Sequence, residues 1–245
     1  MRLTESVSSE PIKSNRPSLP AAHFWGLCVV VYMMLHLPAV RLPVLFLTTW
    51  VHELGHGLGA IMTGGRFLEL TVFPNLSGLA LTETRSDFSR AVVIIMGLLG
   101  PSLLGVIMIG LTRGLGRYRL AMLLLAFTLA LSLIWAADLF TVGAICGATL
   151  IIGLLGWKLP DRILIYVAYI LAIALCLSAL TGFGYFFMGN AEVAGQHYLS
   201  DTGVLAQLWG GSHWLWGGLL TLLSIVILIF GVAVSNRLAR KRMPE

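Results

Sequence analysis

The chain has 245 residues, 58% of them hydrophobic and 11% charged, with a mean hydropathy of +0.90. Soluble domains carry about a quarter charged residues, so this composition argues against an ordinary globular enzyme and for a membrane protein. The formal net charge is +5, yet the basic residues stand at the ends of apolar runs, as Arg237, Arg240, Lys241 and Arg242 do. Cytoplasmic anchors face anionic lipid in this way. Nucleic acid is not an expected partner, because no basic stripe is interleaved with aromatics.

In chain order, residues 1–22 are polar, rich in Ser and Pro, and read as a disordered arm. Residues 23–236 read as a single membrane-embedded domain, and residues 237–245 as a basic tail. Seven apolar segments run roughly Phe24–Val40, Pro43–Met62, Ala91–Leu111, Leu120–Ala137, Asp138–Trp157, Ile163–Thr181 and Trp214–Ser235. The first two nearly adjoin, as do the fourth and fifth, so each pair forms a tight hairpin or one bent segment. The expected fold is therefore an all-α polytopic membrane protein of about six to seven transmembrane helices.

Between the second and third segments, Gly64–Arg90 alternates polar and apolar residues on either side of Asn75-Leu76-Ser77-Gly78. That pattern predicts a short β-hairpin-like insertion. Residues 185–212 contain Glu192, His197 and Asp201 but no Lys or Arg, which places this loop outside and the basic tail inside. Cys28, Cys146 and Cys176 all lie in apolar runs without metal-ligand spacing and read as small buried hydrophobes.

The chemistry concentrates in the second segment, at His52-Glu53-Leu54-Gly55-His56. Histidines four residues apart stack on one helix face, within reach of a single cation. Neutral imidazole ligates zinc, and a carboxylate beside that face can take a proton from water activated by the metal. Ionisable groups within lipid are costly unless paired or bound to an ion, so the expected ligands are His52 and His56, with Glu53 as catalytic base. Gly55, Gly57 and Gly59 suit close approach of a neighbouring helix or of substrate, and equally suit ordinary small-residue packing.

Catalytic zinc usually has three protein ligands and an open position. Besides Glu53, Asp138 is the acidic residue within the apolar stretches, which makes it the leading candidate for the third ligand. Its other reading is a helix N-cap. Asp201 is the rival, folding in from the outer loop, although Leu199-Ser200-Asp201-Thr202 also reads as the start of a helix.

The run Thr48-Thr49-Trp50-Val51-His52-Glu53-Leu54-Gly55-His56-Gly57, then Gly64-Gly65 and Gly97-Leu98-Leu99-Gly100-Pro101, resembles the M50 family of membrane metallopeptidases. This is the site-2 protease group, and Ser200-Asp201-Thr202 with the Trp209–Trp216 region is similar to its M50B-like branch. The resemblance implies one zinc ion held by His52, His56 and an intramembrane Asp, with Glu53 as base. It also implies cleavage of a membrane-embedded or juxtamembrane peptide. Two departures stand out: Leu104 lies near the family's usual Asn, and Asp138 stands between Ala137 and Leu139 rather than in a Leu-Asp-Gly context.

The expected partners are a membrane protein or peptide substrate and the lipid bilayer, with room for a regulatory membrane partner. The Arg66–Phe73 strand is expected to pair with an unwound substrate by strand addition. The expected location is the bacterial inner (cell) membrane, in multi-pass form. The alternative is a non-proteolytic M50-like membrane protein that uses the metal site for structure or partner binding.

Overall fold

A computed structural model describes residues 21–181, 186–193 and 195–242. The expected polar arm lies outside the described residues, apart from its last two positions. The chain is mostly helical: α1 (Ala21–Met34), α2 (Pro38–Met62), α3 (Asp87–Ile109), α4 (Tyr118–Ser132), α5 (Leu139–Lys158), α6 (Asp161–Thr181), α7 (Asp201–Trp209) and α8 (His213–Arg242). Two antiparallel hairpins interrupt them, β1 (Arg66–Val72) with β2 (Gly78–Glu83), and β3 (Asn190–Val193) with β4 (Gln196–Leu199). The first is the insertion predicted after the His-Glu-x-x-His helix.

Five helical stretches among the described residues are long and apolar enough to cross a bilayer. The bent pair α1 and α2, turned by 102° at its break, makes a sixth if counted as one span. The break falls just before Pro38, whose missing N–H and fixed φ suit the first turn of a new helix. The tight junction expected there is thus a bend. The junction of the fourth and fifth segments is a short 3₁₀ turn at Leu133–Trp135, followed by Asp138 as N-cap of α5.

Helices α2 and α3 pack closely because glycines line their contact. A Cβ at Gly55 would strike the Met96 carbonyl, one at Gly59 would press on Val93, and Gly100 lies against Val51 and Gly55. Gly57 serves a different neighbour, since the Phe67 ring of β1 occupies the space a side chain would need. Phe67 in turn stacks on Trp135, with ring centroids 4.7 Å apart. Small residues here let backbones and rings approach to distances that any side chain would forbid.

Polar groups complete the bundle. Trp50, fully buried in α2, donates its indole N–H to Ser132 of α4 at 2.8 Å. At the other end of α4 and α5, Arg119 donates to the carbonyls of Trp157 and Leu159 and pairs with Asp161 at 2.8 Å. Carbonyls in the last turn and at the C-cap of α5 have no intrahelical donor, and the guanidinium satisfies these two. The main apolar core joins α1, α2, α4 and α6 around Phe24, Trp50, Leu125 and Tyr169. A second, smaller core of Ile94, Leu98, Leu205 and Leu220 seats α7 and α8 against α3.

Strand β1 is not a free edge. One side pairs with β2. On the other, Val72 donates to the Thr141 hydroxyl at 2.9 Å, and Leu70 accepts from the Ala137 N–H at 3.1 Å. The expected pairing of substrate with Arg66–Phe73 therefore meets an edge already covered by the start of α5. The edge that faces the His-Glu-x-x-His helix belongs to β2.

Candidate metal centre

Helix α2 presents His52 and His56 one turn apart, as their spacing requires, with Nε2 atoms 3.0 Å from each other and rings nearly perpendicular. Gly97 of α3 makes room for the His56 ring, since a Cβ there would overlap the imidazole. His56 Nδ1 donates to the Val93 carbonyl at 3.0 Å. That hydrogen bond fixes the ring and leaves the Nε2 lone pair free to face inward, as in histidines that bind metal through Nε2.

The third group is Asp201. Its Oδ2 lies 3.0 Å from His52 Nε2 and 3.4 Å from His56 Nε2. Ser200 is the N-cap of α7, its hydroxyl accepting from the Gly203 N–H at 3.1 Å. The Ser200 N–H is tied back to the Gly189 carbonyl at 3.1 Å, and its hydroxyl donates to the Met188 carbonyl. With Ser200 as cap, Asp201 becomes the first helical residue and its carboxylate is released toward the histidines. Leu205, one turn on, is fully buried in the α3–α7–α8 core and sets the depth of the helix.

Asp138, the leading candidate from sequence, goes elsewhere. Among the described residues, the group whose ligating atoms all lie within 4.8 Å of one another is His52, His56 and Asp201, without Asp138. The Asp138 carboxylate caps α5, accepting from the Thr141 N–H at 3.0 Å and from the Thr141 hydroxyl. The Thr141 hydroxyl, helped by backbone N–H groups, holds the Asp138 carboxyl below the usual carboxylate range. A carboxylate so capped, at a helix N-terminus, keeps its charge without a cation. The cost argument that favoured it as a ligand does not apply.

Glu53 is buried beside the cluster, within electrostatic reach of His52, His56 and Asp201. The hairpin lies directly on it. The Ala80 backbone N–H donates to its carboxylate, and Gly78 leaves only enough space for that carboxylate to fit. One turn earlier, Thr49 donates to the Leu76 carbonyl at 2.9 Å, pinning the hairpin tip to α2. Neither the Ala80 contact nor the Val93 contact has a signal in the sequence, because both use backbone atoms.

The donor set fits a metal ion. Ligands at about 2.0–2.1 Å around a tetrahedral ion stand roughly 3.3 Å from one another. The three edges here are 3.0, 3.0 and 3.4 Å. The His56 Nε2 lone pair faces a carboxylate oxygen, and two acceptors meet stably only around a proton or a cation. Two imidazoles and one carboxylate are also a known catalytic zinc set.

Two glycines test this geometry separately. Gly97→Ala is expected to push His56 out of line and lower metal occupancy. Gly78→Ala is expected to leave metal occupancy intact while displacing Glu53 and slowing turnover. Metal analysis with a cleavage assay on both variants checks the pair, and the same phenotype in both would contradict the separation.

Helices apolar enough to cross a membrane carry a His–His–Asp cluster with a buried glutamate beside it, a donor set of the kind found in metal-dependent hydrolases. The family model for Peptidase M50B-like proteins matches residues 25–231, a range that holds all four site residues. The chain belongs to that family. No curated protein and no solved structure matches it.

Proposed function

We propose that the protein is an intramembrane zinc endopeptidase, with His52, His56 and Asp201 as metal ligands and Glu53 as general base. The observation that carries this reading is the convergence of three ligand atoms within 4.8 Å beside a buried carboxylate. A bound zinc ion would supply Lewis acidity and lower the pKa of a water at its open position. Glu53 would take a proton from the attacking water and deliver it to the leaving amine. The Ala80 N–H holds the carboxylate in place, and the Val93 carbonyl holds His56. The proposed setting is a bacterial inner membrane.

A helical substrate hides its amides in internal hydrogen bonds, so the reaction requires an unwound stretch. Strand β2 supplies the edge for it beyond Ala80, whose own N–H is held by Glu53. The Ala80 N–H points away from β1, toward Glu53, and by strand alternation the Thr82 peptide group points the same way. A substrate strand laid along β2 would bring its scissile amide to Glu53. Thr82→Pro removes an edge donor without touching the cluster. It is expected to raise KM for a transmembrane substrate with metal content unchanged, and unaltered kinetics would reject pairing on β2.

The reading itself is tested with a reporter membrane peptide in liposomes. Cleavage should stop on chelation and return with zinc. Cleavage insensitive both to chelation and to Glu53→Gln would overturn it.

A further inference from the structure

Helix α5 stands at the edge of the bundle. It packs along α4, and its other substantial contact among the described residues is β1. That second contact is a short relay of polar groups. Thr141 is fully buried, and its hydroxyl has one proton to give. It donates to the acceptor-only Asp138 carboxylate and so presents a lone pair to the Val72 N–H, at 2.9 Å. Asp138 also accepts from the Thr141 N–H, which fixes both partners at the first turn of α5. Val72 pairs with Gly78 across the hairpin, and Gly78 and Ala80 are the residues that rest on Glu53.

We propose that Asp138 and Thr141 are positioning residues for Glu53, acting through the β1–β2 hairpin. The carboxylate orients the hydroxyl, the hydroxyl holds β1, and β1 holds β2 against the base. This deepens the endopeptidase reading and rests on it. It gives Asp138 a role that does not require contact with the metal.

The test uses the full chain in liposomes, with Thr141→Val, Thr141→Ser and Asp138→Ala beside the wild type. Three quantities are read: metal content, amide exchange of peptides covering β1 and β2, and kcat/KM on the reporter peptide. Thr141→Val keeps the shape and loses the hydroxyl. It is expected to retain full metal, speed exchange in β1 and β2 about tenfold, and lower kcat/KM about tenfold, as loss of one buried hydrogen bond would. Thr141→Ser keeps the hydroxyl and should restore both, whereas a packing role predicts the opposite order, with Val tolerated and Ser defective. Asp138→Ala should match Thr141→Val with full metal. Val behaving as well as Ser, or metal lost from Asp138→Ala, would overturn the proposal. The exchange measurement keeps the two readings apart. If the wild type cleaves nothing, the endopeptidase reading fails, and unchanged exchange in Thr141→Val sinks the relay alone.

Discussion

Replacing Glu53 by Gln is expected to leave the metal in place and to abolish cleavage. Gln is nearly isosteric, and its carbonyl oxygen can still accept from the Ala80 N–H, so the hairpin keeps its seat. The histidines on either side are untouched. What the amide lacks is the capacity to take a proton from water and pass it on. Loss of a positioned general base costs about 10²–10⁴ in rate. Turnover of the reporter peptide, measured beside metal content, decides the matter. Wild-type turnover would remove Glu53 from the reaction, and loss of metal with turnover would make it a structural group.

The second large effect is expected at Asp201. Asp201→Ala should release the metal and end activity together, because its oxygen is one of three converging ligand atoms. Outer-shell changes already cost about 10–100-fold in metal affinity, and removal of a ligand should cost more. Asp138→Ala, which removes the cap of α5, should keep its metal and lose up to about 2 kcal/mol of stability. Metal analysis after identical purification separates them. Retained metal in Asp201→Ala would return the search for a third ligand to the rest of the chain.

These two aspartates mark how far the sequence could be read. His52, Glu53 and His56 were legible because a helix brings residues four apart together without help from the rest of the fold. The β1–β2 hairpin was legible from its alternation and turn residues. The third member of the cluster was not, since it depends on which distant element folds back onto α2. Counting the cost of an unpaired charge favoured Asp138, but the Thr141 hydroxyl and a helix N-terminus meet that cost. For Asp201, cap and ligand were weighed as rivals. The structure gives the cap to Ser200 and turns the next carboxylate toward the histidines. The choice of β1 as the substrate edge failed for a similar reason. Strand propensity identifies a strand, while its open side depends on what covers it, here Ala137 and Thr141.

The separation of Asp201 from the histidines has a consequence for how the protein is made. A chain grows from its N-terminus, and early elements fold before late ones exist. The helix with both imidazoles and Glu53 emerges early, whereas α7 follows the sixth helix and a further hairpin. Until α7 docks on α3, the nascent chain holds the two histidines without the carboxylate that completes the cluster. With the proposed ligand set, the chain would become able to hold its metal only once α7 closes on α3.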